Sequence, residues 1–95
     1  MHYVLIYDVV DGFIEKRQPY RPEHLEHVSK AYQDSAMIMG GALADPPDKV
    51  MMVFKCPEAD VVEEFAKTDP YVTNGLVKEW RVRRWNTVSS SGTPV

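Results

Sequence analysis

Four runs of strand-forming residues and two stretches of helical periodicity follow one another along this chain. Their order is strand, helix, strand, strand, helix, strand, and that order leaves few folds open. The first run, His2-Tyr3-Val4-Leu5-Ile6-Tyr7, is β-branched, aromatic and apolar on both faces, which reads as a buried strand. Asp8 to Pro19 holds Gly12, several charges and a proline, and reads as a loop. Arg21-Pro22-Glu23 starts a helix, with proline at the first helical position and an acid in the first turn. Leu25, Val28 and Tyr32 then carry it to about Asp34. Ala36 to Leu43 is a second strand with Gly40-Gly41 as a kink or close-approach point. Asp45-Pro46-Pro47-Asp48 is a turn, and Val50 to Phe54 a third, continuously apolar strand. Pro57 opens a second helix with Val61, Val62, Phe65 and Ala66 on its apolar face, and Asp69-Pro70 stops it. Tyr71 to Gly75 is a turn or loose helix, and Val77 to Trp85 the fourth strand.

With right-handed crossovers this order gives an α+β, ferredoxin-like βαββαβ sandwich on a four-stranded antiparallel sheet. The 95 residues suffice for one core. We assign residues 1–86 to that single domain. The rest, rich in Ser, Thr, Gly and Pro, reads as a disordered tail over residues 87–95.

The strands also predict a partner. Both helices of this topology cover one sheet face, so the other should alternate to polar. It does not: Val4 and Ile6 oppose Tyr3, Leu5 and Tyr7 on the first strand, and Met51 and Val53 oppose Val50, Met52 and Phe54 on the third. A second copy of the same sheet is the economical cover, giving a homodimer or a higher oligomer built from it. Trp80 and Trp85 fall on opposite faces of the last strand, one under a helix and the other in that interface.

Composition removes other partners. A net charge of −3, from 11 basic and 14 acidic side chains, offers no surplus to offset phosphate, and the aromatic signature of RNA-binding sheets is missing, so no nucleic acid is expected. The chain start has neither a basic segment nor a long apolar run, so no membrane association is expected. The single cysteine, Cys56, fits a reducing, cytoplasmic compartment and reads as a buried, inert thiol.

The threading gathers chemistry at one end. The first strand finishes where the first helix begins, and the second helix, entered from the antiparallel third strand, ends at that same rim. His24 and Asp69, 45 positions apart, are thereby brought to neighbouring segments, while Cys56 belongs at the opposite end. A carboxylate beside an imidazole orients one ring nitrogen and leaves the other for proton transfer near neutrality. Read from the residues alone, the plainer account has the stronger claim: a surface helix histidine, and an aspartate that caps a turn before Pro70. Arg21 and Arg17 could clamp a carboxylate or phenolate at the rim, or simply pair with Glu15 and Glu23. Tyr7 and Tyr71 could line a pocket, although aromatic residues at strand ends are more often core. His24 and His27 have an i, i+3 spacing but no third ligand, so no metal is expected, nor any cofactor. Gly40-Gly41 lacks the Lys and Ser/Thr of a phosphate loop.

Several of these segments resemble the YciI-like (YCII-related domain) family. They are His2-Tyr3-Val4-Leu5, Arg21-Pro22-Glu23-His24-Leu25, Gly40-Gly41-Ala42-Leu43, Asp69-Pro70-Tyr71-Val72 with Gly75, and Val82-Arg83-Arg84-Trp85. The more specific pieces are the His-Leu pair after Arg-Pro and the Asp-Pro-Tyr. The resemblance implies a dimeric α/β barrel and an active site on a His-Asp pair, which maps onto His24 and Asp69. It also implies lyase or hydrolase chemistry without a cofactor. One family activity is the dehydrochlorination of a chlorinated hydroxyhydroquinone, an elimination that needs acid-base help and no metal. The expectation is therefore a His24-Asp69 acid-base site for a small organic molecule, aromatic or anionic. Its alternative is a non-catalytic dimeric module that binds a small ligand or another protein.

Overall fold

The computed structural model describes residues 1–34, 36–90 and 93–94. Strand β1 (His2–Val9) is followed by a single turn, α1 (Phe13–Lys16), a 3₁₀ turn (Gln18–Tyr20) and the long helix α2 (Arg21–Gln33). Then come β2 (Met37–Ala42), β3 (Lys49–Lys55), α3 (Ala59–Thr68), the short α4 (Pro70–Thr73) and β4 (Val77–Trp85). The four long strands form one antiparallel sheet in the order β2-β3-β1-β4. This is the ferredoxin-like α+β arrangement that the order of elements predicts.

The core lies between the sheet and its helices. Tyr3, Leu5, Tyr7 and Val9 of β1 alternate inward with Val50, Met52 and Phe54 of β3, and they pack with Val62, Phe65 and Ala66 of α3. Period-two burial on the strands thus meets the apolar stripe of a helix. Trp80 faces this layer opposite Tyr7, whereas Trp85 lies on the other face, half exposed. That open face carries Val4 opposite Val53, Ile6 opposite Met51, and the exposed Met39. The same face holds charges: Asp8 lies between Lys49 of β3 and Arg81 of β4, and Arg83 stands opposite Val4.

The segment read as a loop from Asp8 to Pro19 is partly ordered into turns. Val9 continues β1, donating to Asp48 O at 3.1 Å. Gly12 then adopts a left-handed φ of 74°, where a side chain would be strained, and launches α1. Phe13 on that turn is 2% exposed and anchors it to the core. Helix α3 begins two residues later than its proline signal, at Ala59, behind an extended Glu58. A bulge between Met37 and Met39 turns both Ile38 and Met39 outward on the edge strand. Of the expected tail, residues 91, 92 and 95 lie outside the described residues; Ser89–Ser90 pairs with Thr93–Pro94.

Candidate active site

Asp69 stands where α3 ends and α4 begins. The proline that follows disfavours helical geometry at this residue, and its backbone is extended, with φ −67° and ψ 127°. Its side chain then turns inward and accepts the Tyr71 backbone N–H at Oδ1, 3.0 Å away, as the N-cap of α4. The carboxylate is fully buried. Oδ1 lies 2.8 Å from His24 Nδ1, and Oδ2 accepts the Tyr7 hydroxyl at 2.7 Å.

No permanent cation touches this carboxylate among the described residues. Taking such a charge out of water costs several kcal/mol. The offset comes from three directed hydrogen bonds, each worth about 1.5–3 kcal/mol when one partner is charged. An ionised carboxylate only accepts. His24 Nδ1 therefore donates, and the neutral ring carries its lone pair on Nε2. That nitrogen makes no protein hydrogen bond among the described residues, and it is not sealed off.

The ring of His24 is held from both ends. It is 8% exposed and stacks on Tyr71, with centroids 3.7 Å apart and planes 9° from parallel. Tyr71 in turn meets Phe13 edge-on at 5.3 Å, which ties the short turn α1 to the site. Arg21 Nη1 approaches the Tyr71 hydroxyl at 3.5 Å. Burial pushes that hydroxyl's pKa up, against the pull of Arg21 and Arg17. Burial pushes Tyr7 much further up, reinforced by the charge of Asp69 and the hydrogen bond to it, so Tyr7 stays a proton donor to the carboxylate.

His24 opens onto a cavity of about 250 Å³ between α2 and the β2–β3 edge of the sheet. Arg17, Arg21 and Tyr71 form its polar end, and Val28, Met37 and Met52 an apolar wall. Gly40 completes the floor, where a Cβ would come within 2.7 Å of Met52 Cγ. An apolar void of about 150 Å³ holds benzene, so this one suits a single ring with a few polar substituents. Two more open clefts are larger, about 700 and 570 Å³, but neither touches His24 or Asp69.

Of the residues singled out in the sequence, His24, Arg21, Arg17 and Tyr71 share this cavity. Asp69 sits behind the histidine. Tyr7 is not a wall residue: it is fully buried beneath Asp69, because β1 points it into the core. Neither arginine forms an ion pair with Glu15 or Glu23 among the described residues. Arg17 lies 5.5 Å over the Phe13 ring, and its Nε is buried without a partner. Cys56 is a free, buried thiol near Met1, at the far end of β1, and burial raises its pKa. His27 is engaged elsewhere, 2.9 Å from Phe65 O. Among the described residues no three His, Cys, Asp or Glu side chains gather as metal ligands do, and no helix is long and apolar enough to cross a membrane. Sequence reading missed the thioether wall and the glycine floor; the Gly40-Gly41 pair, taken as a close-approach point, was the one signal pointing there.

The family model described as the YCII-related domain matches residues 1–86. The chain belongs to the YCII-related domain family. The fold of this YCII-related protein is similar to that of 5-chloro-2-hydroxyhydroquinone dehydrochlorinase from Burkholderia phenoliruptrix AC1100, solved in complex with 2,5-dihydroxybenzoquinone. The identity is 18%, the match covers 90% of this chain and 94% of that one, and the TM-score is 0.75. Protein PA3566 from Pseudomonas aeruginosa matches 93% of each chain at 8% identity and a TM-score of 0.60. Protein SO0527 from Shewanella oneidensis matches 86% of this chain and 84% of its own at 18% identity and a TM-score of 0.56. At these identities the likeness speaks for the fold. No curated protein matches the sequence.

Proposed function

We propose that this protein is a cofactor-independent acid-base catalyst that acts on a small, single-ring, anionic organic substrate. One observation carries the reading: an imidazole whose Nδ1 lies 2.8 Å from a fully buried carboxylate belongs to a residue that lines a cavity together with Arg17 and Arg21. Nε2 takes a proton from an acidic position of the substrate. Asp69 stabilises the imidazolium that forms, and Arg21 and Arg17 stabilise the negative charge left on the substrate. When a leaving group departs with its electron pair, the outcome is an elimination, the class of reaction performed by the dehydrochlorinase of similar fold. In a hydrolytic course Nε2 would instead take the proton of a water that attacks the substrate, and the imidazolium would return that proton to the oxygen whose bond to the substrate breaks.

The test is turnover of 5-chloro-2-hydroxyhydroquinone and of a panel of hydroxylated and carboxylated single-ring aromatics. His24→Ala and Asp69→Asn are expected to lower kcat by roughly 10²–10⁴ and to leave binding of 2,5-dihydroxybenzoquinone largely intact. Turnover that survives either change rules the mechanism out. Tight binding of the panel with no turnover would instead support a ligand-binding module.

The open sheet face supports a homodimer, since Val4, Ile6, Met51 and Val53 form an apolar strip, with Met39 beside it on β2 and Arg81, Arg83 and Trp85 beside it on β4. Sedimentation at micromolar concentration should give a two-chain mass; a monomer there would exclude this assembly.

A further inference from the structure

Tyr7 is the one member of the cluster that meets neither the cavity nor the imidazole. It reaches the site from β1, through the core, and spends its hydroxyl on Asp69 Oδ2 at 2.7 Å. The other oxygen of Asp69 is shared between His24 Nδ1 and the Tyr71 N–H. A carboxylate that accepts a strong, short hydrogen bond on one oxygen has less negative charge to offer on the other.

We propose that Tyr7 is a positioning residue that sets the proton affinity of the His24–Asp69 pair: its hydroxyl locks the carboxylate and draws charge away from the imidazole, keeping Nε2 a weaker base than an unrestrained dyad would make it. This rests on the acid-base reading of the site, but its readout does not require a substrate. The groups facing the ring from every side are few. They are Asp69 and Tyr71 from the α3–α4 junction, Arg21 and the cavity-lining Tyr32 from the ring's own helix, and Arg17 just before that helix. On the β2 and β3 side the cavity lining is Gly40, Gly41, Ala42, Met37, Met52 and Val50, none of which is charged. Tyr7 therefore acts on the ring only through Asp69.

The experiment is an NMR titration of the three histidines in ¹⁵N-labelled full-length protein, with His24 assigned by its loss in His24→Gln. Removing the hydroxyl in Tyr7→Phe should move the His24 midpoint up by about one pH unit, a tenfold gain in proton affinity. A strengthened donor, 3-fluorotyrosine placed at position 7, keeps ring and hydroxyl and should move it down; this arm remains informative if Tyr7→Phe folds poorly. Asp69→Asn serves as the reference for the full effect of the carboxylate. A His24 midpoint that ignores both changes at position 7 but moves with Asp69→Asn overturns the role of Tyr7 and leaves the dyad standing. A midpoint that ignores all three changes overturns the acid-base reading as well. Shifts as expected without turnover of any substrate in the panel uphold Tyr7 and count against the catalytic reading alone.

Discussion

Tyr7 and Asp8 are neighbours on β1, yet they serve two different carboxylates on the two faces of the sheet. On the helix face, Asp69 is sealed from water and held by a phenol, a backbone amide and an imidazole. On the open face, Asp8 keeps contact with solvent and is held by Lys49 at 2.7 Å and Arg81 at 3.0 Å. Asp8 thus has two permanent cations, and its charge is already matched. Among the described residues Asp69 has no Lys or Arg partner, and its one basic partner is His24. A buried carboxylate whose basic partner is an imidazole is what the proposed acid-base site requires, whereas a partly exposed carboxylate between Lys and Arg cross-links three strands.

The comparison breaks most sharply if each partner is removed in turn. Asp69→Ala leaves the Tyr7 hydroxyl, the Tyr71 N–H and His24 Nδ1 without their acceptor in a site closed to water. Each buried donor left without an acceptor costs about 1–3 kcal/mol, so the expected loss is several kcal/mol. Urea unfolding would read it as a lower midpoint with an unchanged slope. His24→Leu should cost less, about 1–3 kcal/mol, because the carboxylate keeps Tyr7 and Tyr71 as donors. Should the histidine variant prove the more damaging of the two, Asp69 would not be the organising group of the cluster.

Much of this was legible in the chain before any coordinates. Alternation of apolar residues separates strands from helices, and the order of elements then forces the start of α2 and the end of α3 to one rim, which is why His24 and Asp69 could be paired across 45 positions. What could not be read is which way side chains turn once they arrive. An aromatic residue near the end of a buried strand is ordinarily core, and Tyr7 is core; that its hydroxyl also ends on Asp69 depends on a contact 62 positions away. Arg17 looks as though it should pair with Glu15, but the turn α1 places it over Phe13 instead, and a four-residue turn carries too little periodicity to be seen in sequence. The Asp8 cluster needed the register of three strands, with Asp8 opposite both Lys49 and Glu79, before Lys49 and Arg81 could be placed on it.

The smallest effect belongs to Asp8, and its sign with pH can be worked out. Hydrogen bonds from Lys49 and then Arg81 hold the Asp8 carboxyl below its usual pKa, and Asp8 in return raises Lys49. A depressed carboxyl contributes stability that is fully present above the unfolded carboxylate pKa and is lost as pH falls through the folded one. A raised lysine contributes stability that is present below its unfolded value and is lost as pH rises through the folded one. The cluster should therefore stabilise the fold across the neutral range and fade at both extremes. Asp8→Asn should lower the urea midpoint slightly at neutral pH, and the gap from the unsubstituted protein should close on acidification. The gap should also shrink in high salt, because the pair is open to solvent and the screening length falls to about 3 Å at 1 M. The Asp69→Ala gap, arising where no counter-ion can enter, should persist in the same salt. An Asp8→Asn gap that resisted 1 M salt would show that the open face is itself shielded from water in the assembled protein, and the two aspartates would then differ in their partners but not in their exposure.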